Sequence, residues 1–210
     1  MALYADRVDA GRRLAEVLGE LDEPLVLGLP RGGVVVAREV VVEHGGALDV
    51  VVVRKLGAPR HPEYGIGGLA EDDEPLWDEH AVAALGLTPA DRDRLVRKET
   101  EELLRRRVAY RSGPLPAMAG RLVVVVDDGL ATGVTARAAL RRVRREQPSR
   151  LVLAVPVGAP DTVRSLAGEA DEVVCPAQPR DLGSVGAYYD DFAATTDREV
   201  IALLASTPRP

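Results

Sequence analysis

The sequence has few of the residues that mark extracellular, zinc-stabilised or membrane-spanning proteins. Its 210 residues include one cysteine, Cys175, which excludes an intramolecular disulfide and fits a reducing cytoplasm. The three histidines are scattered, and no cysteine–histidine spacing resembles a zinc site. No apolar run approaches the ~18 residues of a membrane span, and the N-terminus lacks the features of a secretory signal. We therefore expect a cytoplasmic protein that does not engage a membrane.

Charge and hydropathy predict one acidic globular unit. The formal net charge is −6, so the field of the whole protein does not favour nucleic acid. An arginine cluster does occur, and we interpret it as a solvated helix face; it comprises Arg137, Arg141, Arg142, Arg144, Arg145 and Arg150. Apolar residues make up 46% of the chain and arrive as dense valine and leucine runs. These values predict a single domain over residues 1–210 with a sizeable core.

Strand and helix patterns alternate along most of the chain. Short apolar runs predict strands at 25–29, 49–53, 122–126, 151–155 and 173–175. Helical patterns lie at 6–18, 34–43, 88–110, 135–146, 161–167 and 197–204. Consecutive valines in the second and third strands are typical of parallel strands that are covered on both faces. The alternation predicts an α/β fold with a parallel sheet flanked by helices.

Residues 54–121 interrupt this alternation and predict an insertion beside the main sheet. The insertion opens with a glycine- and proline-rich loop at 56–68, which we interpret as a candidate active-site lid. A long charged helix follows, where Thr88 can cap the N-terminus and Pro89 suits the first helical position. A second irregular stretch, residues 176–192, separates the last strand from the closing helix.

The segment that carries chemistry follows the strand at 122–126. Asp127 and Asp128 come directly after it, at the carboxyl end where open α/β sheets bind ligands. A loop of small residues then enters a helix, whose N-terminal amides and dipole favour an anion. Thr132 and Thr135 add hydroxyls, and Gly133 lets a phosphate approach the backbone. An anion cradle beside acids that hold sugar hydroxyls, or magnesium through water, suits a ribose 5-phosphate. No Gly-Lys-Ser/Thr follows, so this is not a Walker loop.

This stretch resembles the signature of the type I phosphoribosyltransferases, in which four apolar residues and two acids precede a loop containing Thr-Gly-x-Thr. The resemblance implies that Asp127 and Asp128 contact the ribose hydroxyls and help to hold Mg²⁺. It implies that the 5-phosphate is cradled by Ala131, Thr132, Gly133, Val134 and Thr135. It also implies the type I phosphoribosyltransferase-like fold, with a lid loop plus helical insertion at 54–121 and a small C-terminal hood at 176–192.

Two further motifs resemble the same family and occur in the family's order. Pro30-Arg31-Gly32-Gly33 follows the first strand, where the family has its pyrophosphate loop. Arg54-Lys55-Leu56-Gly57 follows the second strand and resembles the Arg-Lys-x-Gly of adenine phosphoribosyltransferases, where the basic pair lies near the pyrophosphate. The resemblance is greatest to a group of bacterial proteins that also share the opening Asp6-Arg7-x-x-Ala10-Gly11. The residues expected at the pyrophosphate are Arg31, Gly32, Gly33, Arg54 and Lys55.

The resemblance implies an enzyme that uses 5-phosphoribosyl-1-pyrophosphate and Mg²⁺ to transfer a phosphoribosyl group to an unidentified, nitrogenous acceptor. Arg31, Lys55 and the metal would neutralise the departing pyrophosphate. Enzymes for 6-oxopurines carry an acid at the position of Ala131, so hypoxanthine and guanine are disfavoured. Family members often dimerise, and a homodimer is compatible with the resemblance, although nothing in the sequence marks an interface.

The residues that act on the acceptor stay open at this point. Glu63 in the candidate lid and Glu71 just after it are candidates for the general base, or else surface carboxylates on a loop. Tyr188 and Tyr189 could stack on a planar acceptor, or could pack the last helix against the sheet.

Two other functions also fit the sequence. The chain could be a regulator that binds phosphoribosyl pyrophosphate without turning it over, as some members of this superfamily do. It could also catalyse a related phosphoribosyl-handling or hydrolytic reaction outside nucleotide salvage. Retained binding without turnover would distinguish the regulator, and release of ribose 5-phosphate without an acceptor would distinguish the hydrolytic reaction.

Overall fold

The computed structural model describes residues 2–111 and 113–210, except for the side chain of Glu63. The helices are α1 (Arg7–Val17), α2 (Gly32–His44), α3 (Glu79–Ala84), α4 (Pro89–Tyr110), α5 (Val134–Arg144), α6 (Pro160–Leu166) and α7 (Asp197–Ala205). The strands are β1 (Leu25–Gly28), β2 (Ala47–Val50), β3 (Val53–Ala58), β4 (His61–Ala70), β5 (Leu76–Trp77), β6 (Leu122–Val126), β7 (Arg150–Ala154) and β8 (Glu172–Val174).

A parallel sheet forms the centre of the molecule, with the strand order β2-β1-β6-β7-β8. In its register Leu25 lies opposite both Ala47 and Val123, and Gly28 lies opposite both Val50 and Val126. The strands of its middle are buried on both faces, as the valine-rich runs predict. Because the strands are parallel and end level with one another, the segments that follow β1, β2, β6 and β7 meet at one edge. The predicted α/β fold with a parallel, helix-flanked sheet is confirmed.

The region after β1 forms a helix in spite of its many valines. The structure has α2 from Gly32 to His44, and it ends where Gly45 takes a φ of 73°. A Cβ on Gly28 would lie only 2.7 Å from the Cα of Val34, so α2 packs directly on β1. Burial between the sheet and α1 therefore outweighs the β propensity of the valines.

The predicted loop at 56–68 is wrong, because most of this segment is strand. β3 and β4 form an antiparallel hairpin, and β5 joins them in a separate three-stranded sheet. The glycines that resemble loop residues serve close packing instead. A Cβ on Gly57 would overlap the carbonyl oxygen of Pro62, and one on Gly68 would lie 2.7 Å from the carbonyl oxygen of Val134. The second strand also lies earlier than predicted, at Ala47–Val50.

Helix α4 begins as its sequence predicts. Thr88 accepts a hydrogen bond from the Asp91 amide while the Asp91 carboxylate accepts one from the Thr88 amide, and Pro89 occupies the first turn. It is the longest helix, and its surface is heavily charged. Within the described ranges, no helix is both long enough and apolar enough to cross a membrane.

A buried ion pair ties the insertion to the main sheet. Arg111, just after α4, contacts the carboxylate of Glu71, just after β4, and Glu71 has no exposed surface. Arg111 also donates to the carbonyl oxygen of Val50 at 2.9 Å, and the Val52 amide donates to Glu71 Oε1 at 2.8 Å. Glu71 after the hairpin and Arg111 after α4 are therefore both fixed to the residues that end and follow β2.

Removing one partner of this pair tests its role. We expect Arg111→Met to lower the free energy of unfolding by about 3–5 kcal/mol, because the Glu71 carboxylate would stay buried without its cation. The double variant Arg111→Met/Glu71→Gln should be more stable than Arg111→Met alone, since glutamine still accepts from the Val52 amide. Urea unfolding of the three proteins measures the difference.

The matched control is Arg107→Met. Arg107 lies in the last turn of α4, just before Arg111, and its substitution removes a surface ion pair with Asp72. We expect it to change the free energy of unfolding by less than about 1 kcal/mol. Equal losses in Arg111→Met and in the double variant would contradict the role of the pair.

Candidate active site

Two adjacent carboxyl groups stand at the edge where β1, β2, β6 and β7 end. Asp127 and Asp128 directly follow β6, and Asp127 Oδ1 accepts a hydrogen bond from the Asp128 amide at 2.9 Å. Asp128 Oδ2 accepts from Arg7 Nε at 2.7 Å, in an ion pair whose side chains are 11% and 18% exposed. The acids predicted from the sequence therefore lie together at the edge where open α/β sheets generally bind ligands.

The electrostatics of the pair favour a ligand with positive charge or with hydroxyl donors. Burial raises the pKa of Asp127 well above its ordinary value, and the neighbouring Asp128 carboxylate raises it further. Burial also raises the pKa of Asp128, while Arg7 opposes that shift. One guanidinium therefore offsets only part of the cost of holding two carboxylates side by side.

The glycines after β1 pack directly on these acids. A Cβ on Gly32 would overlap Asp128 Oδ2 and lie 2.5 Å from Arg7 Nε. A Cβ on Gly33 would lie 2.7 Å from the carbonyl oxygen of Val126 and 3.0 Å from Asp127 Oδ1. Only glycine fits at both positions. Two motifs that are about a hundred residues apart in the chain thus form one surface.

Arg31, the cation of the same turn, lies at the start of α2 and is partly exposed. The Pro30–Arg31 peptide bond is cis. Arg31 Nη1 lies 3.8 Å from Asp197 Oδ1, and Asp197 in turn accepts a hydrogen bond from the Tyr110 hydroxyl at 2.5 Å. The Arg31 guanidinium is therefore only loosely paired, and the next residue, Gly32, contacts Asp128.

The loop from Ala131 to Thr135 leads into the N-terminus of α5. Gly133 adopts a φ of 73°, and a Cβ there would lie 2.6 Å from Thr162 Cγ2. Thr162 fixes the loop from behind by donating its hydroxyl to the Ala131 carbonyl oxygen at 2.7 Å. The first turn of α5 has neither a side-chain cap nor an acidic residue. The amides of that turn are therefore suited to an anion.

The two basic residues of β3 lie in different surroundings. Arg54 donates from Nε to Glu99 on α4 at 2.9 Å, so it joins the hairpin to the long helix. The stem of Lys55 lies beside Gly65 and Val134: a Cβ on Gly65 would be 3.2 Å from Lys55 Cδ and 3.0 Å from Val134 Cγ2. The pair that the sequence predicts as a unit is divided, because neighbouring strand residues face opposite sides.

The structure argues against one of the two candidate bases. Glu71 is fully buried in its ion pair with Arg111, so its carboxylate has no exposed surface to offer an acceptor. It is neither the free base nor the surface loop carboxylate that the sequence suggested. The backbone of Glu63 lies in β4, but its side chain lies outside the described residues, so its role stays a prediction.

The tyrosines of the predicted hood are used in packing. Tyr189 is buried, donates its hydroxyl to the Asp128 carbonyl oxygen at 2.6 Å, and packs between Tyr4 and Phe192 with ring centroids 5.4 and 4.8 Å away. Burial raises its pKa above the ordinary value. Tyr188 donates to the Asp181 carbonyl oxygen at 3.2 Å. Tyr189 therefore supports the loop of the acids from behind and has no face free to stack on an acceptor.

Sequence reasoning missed Arg7 as a residue of this site. Its signal was present, since Arg7 belongs to the shared opening Asp6-Arg7-x-x-Ala10-Gly11, but no local pattern relates α1 to the end of β6. In that motif Asp6 caps α1 by accepting from the Asp9 amide at 2.8 Å, and Ala10 is completely buried.

The arginine cluster on α5 is an ion-paired surface. Arg141 pairs with Glu169 at 2.8 Å, Arg144 with Asp171 at 3.0 Å, and Arg145 with Asp73 at 2.5 Å. These carboxylates neutralise the positive charge locally. The pairing favours the interpretation as a solvated helix face.

The comparisons with known proteins agree with this geometry. The model of the phosphoribosyl transferase domain matches residues 4–190, so the chain belongs to the phosphoribosyl transferase family. Proteins of two Mycobacterium tuberculosis strains, each named "Putative phosphoribosyl transferase", are 46% identical over 208 residues. The match covers 97% of this chain but 47% of theirs, so the chain spans about half the length of these curated relatives.

Solved structures extend the likeness to the whole fold. The protein TT1426 from Thermus thermophilus is 44% identical, with a TM-score of 0.81, and the match covers 99% of this chain and 100% of that one. The AQ2163 protein from Aquifex aeolicus is 13% identical with a TM-score of 0.53, covering 96% of this chain and 86% of that one, and supports the fold alone.

The stored repulsion between the acids predicts a stabilising substitution. We expect Asp127→Asn to raise the free energy of unfolding of the ligand-free protein by about 0.5–2 kcal/mol. Functional residues are often held at a cost to stability, and replacing them removes that cost. The amide removes a buried charge and keeps an acceptor for the Asp128 amide. Thermal unfolding at pH 7.5 without added metal measures the change. Asp161→Asn, in an exposed pair with Arg164, is the control and should have almost no effect. A clear loss of stability in Asp127→Asn would contradict the account.

The close contact at Gly32 predicts a second effect. We expect Gly32→Ala to lower the free energy of unfolding by about 1–3 kcal/mol, because the methyl group must displace Asp128 or Arg7. Gly168→Ala is the matched control, since a Cβ there meets nothing within 4 Å. Urea unfolding compares them, and a Gly32→Ala protein as stable as Gly168→Ala would disprove the contact.

Proposed function

We propose that this chain is a phosphoribosyltransferase that uses 5-phosphoribosyl-1-pyrophosphate and Mg²⁺ to transfer a phosphoribosyl group to a nitrogenous acceptor. The observation that carries the proposal is the meeting of three features at one sheet edge. They are the carboxylates of Asp127 and Asp128, the glycine turn at Gly32 and Gly33, and the uncapped first turn of α5. Their chemistry matches the hydroxyls, the pyrophosphate and the 5-phosphate of that substrate.

The substrate would bind through groups that the fold already brings together. The ribose hydroxyls would donate to Asp127 and Asp128. The 5-phosphate would accept from the amides and hydroxyls of the loop from Ala131 to Thr135. The pyrophosphate would accept from the amides of Gly32 and Gly33, with Arg31 and Lys55 as cations. Arg54 would join them only by leaving Glu99, so we assign it a structural role first.

The reaction would depend on position and charge. The acceptor nitrogen forms a bond to C1 of the ribose as the bond from C1 to the pyrophosphate oxygen breaks, and the leaving group takes the electron pair. Fixed groups on both sides of C1 hold the sugar while positive charge develops there. The hairpin of β3 and β4, which packs on the first turn of α5, is a candidate lid over this centre, and its closure would exclude water.

The donors present fit Mg²⁺. Magnesium binds oxygen, keeps several waters and usually takes one or two carboxylates together with phosphate groups. Asp127 and Asp128 are two such carboxylates, and Asp128 Oδ2 already accepts from the Arg7 guanidinium at 2.7 Å. When bound, the ion would supply positive charge to the pyrophosphate.

Two features bear on which acceptor is used and on which residues could contact it. Ala131 stands where 6-oxopurine enzymes carry an acid, which disfavours hypoxanthine and guanine. Glu63 is the candidate base in the hairpin, while the burial of Glu71 and Tyr189 leaves neither residue exposed to an acceptor. The class of acceptor therefore has to be found by assay.

The test is pyrophosphate release from phosphoribosyl pyrophosphate and Mg²⁺ against pooled purines, pyrimidines, nicotinate-like rings and amines. We expect release with one pool and a loss of about a hundredfold or more in Asp127→Asn/Asp128→Asn, which removes both charges at the ribose. The matched control is Asp72→Asn/Asp73→Asn, an adjacent acidic pair on the insertion, which should retain the activity.

The other outcomes separate the remaining functions. Tight binding of phosphoribosyl pyrophosphate without release in any pool would replace the enzyme with a regulator. Free ribose 5-phosphate in the absence of an acceptor would indicate a hydrolytic reaction. If the protein neither binds phosphoribosyl pyrophosphate nor releases pyrophosphate, the proposal is overturned.

A further inference from the structure

We propose that Arg7 is a positioning residue, which orients the Asp128 carboxylate for recognition of a ribose hydroxyl. The inference rests on the proposed function, because it assigns Asp128 to the sugar. It adds a residue from the start of the chain to a site otherwise built from the ends of β1 and β6.

Arg7 is itself held from several sides. Its Nε donates to Asp128 Oδ2 at 2.7 Å, and its Nη1 donates to the Ala193 carbonyl oxygen at 2.8 Å. Its guanidinium carbon lies 3.8 Å from the centroid of the Phe192 ring. The side chain is only 11% exposed, so the guanidinium has one well-defined place.

Asp128 in turn has little freedom. Arg7 holds Oδ2, and the Cα of Gly32 lies so close to that oxygen that a Cβ would overlap it. The Tyr189 hydroxyl donates to the Asp128 carbonyl oxygen at 2.6 Å, which fixes the backbone. Because Arg7 holds Oδ2, the proposal assigns Oδ1 to accept from the ribose hydroxyl.

Repulsion between the carboxylates of Asp127 and Asp128 explains why Asp128 needs the ion pair with Arg7. Asp127 and Asp128 are adjacent, and a carboxylate without a partner would turn away from its neighbour. A preorganised acceptor binds a hydroxyl without a reorganisation cost at the moment of binding. Arg7 supplies that preorganisation and also links the segment after the hood, through Ala193, to the acids.

The alternative is that Arg7 only anchors α1. The two roles predict different results, since loss of an anchor weakens every ligand alike, whereas loss of orientation weakens recognition of the hydroxyl alone. Arg12 on the same helix offers a control, because it also pairs with a buried carboxylate, Glu39, at 3.2 Å, while its own side chain is 68% exposed.

The experiment measures the dissociation constants of ribose 5-phosphate and 2-deoxyribose 5-phosphate by calorimetry. The proteins are the wild type, Arg7→Gln, Arg7→Lys, Arg12→Gln and Asp128→Asn. We expect the wild type to prefer the ribose sugar by about 10- to 100-fold, the effect of one hydrogen bond to a charged group. Arg7→Gln and Asp128→Asn should lose about tenfold of that preference with little change for the deoxy sugar, and Arg12→Gln should keep it.

Arg7→Lys keeps the charge but lacks the planar fork, so its preference should lie between those of the wild type and Arg7→Gln. This variant decides the question if Arg7→Gln does not fold. The inference is overturned if the Arg7 variants prefer ribose 5-phosphate as strongly as the wild type does. It is also overturned if they lose the same amount of affinity for both sugars. If the Arg7 variants keep the preference and Asp128→Asn loses it, the proposed function stands although the inference about Arg7 fails. No preference in the wild type would overturn this inference together with the proposed ribose site.

Discussion

The parallel pairing of β1 with β6 is the constraint on which the candidate site depends. Gly28 and Val126 lie opposite each other at the ends of these strands, so the turn after β1 and the acids after β6 share one edge. The contact is close enough that Gly32 and Gly33 leave no room for a Cβ beside Asp127 and Asp128. A substrate with a phosphate group on each side of a diol would span this edge and the first turn of α5.

The insertion is attached to the same edge by a different kind of contact. Glu71, after β4, and Arg111, after α4, form a buried pair that hydrogen-bonds to Val50 at the end of β2 and to Val52 just after it. Within the insertion, the hairpin meets the first turn of α5 through glycines, with Gly68 against Val134. The hairpin is therefore fixed at its base and packs closely against α5, where its glycines let the two backbones approach.

The site stores unfavourable interactions that a ligand would relieve. Two adjacent carboxylates, one guanidinium and an uncapped helix start each favour a ligand of complementary charge. Packing elsewhere offsets this cost, since the sheet strands and α2 bury long apolar runs. Residues 176–192 contribute through Tyr189 and Phe192, whose packing supports Asp128 and Arg7. Specific recognition and local instability therefore arise from the same residues.

The sequence by itself determined the α/β class, nearly all of the elements of the main sheet and the position of the candidate phosphate-binding segment, because each rests on local patterns. Valine runs, the Thr88 cap and the acids before a small-residue loop are readable within a few residues. Only the tertiary structure decided that the glycines at 57–68 belong to a hairpin, that Glu71 pairs with Arg111, that Tyr189 packs beneath Asp128, and that Arg7 joins the site. Those outcomes depend on contacts between segments far apart in the chain, and no local pattern records what a side chain meets after folding.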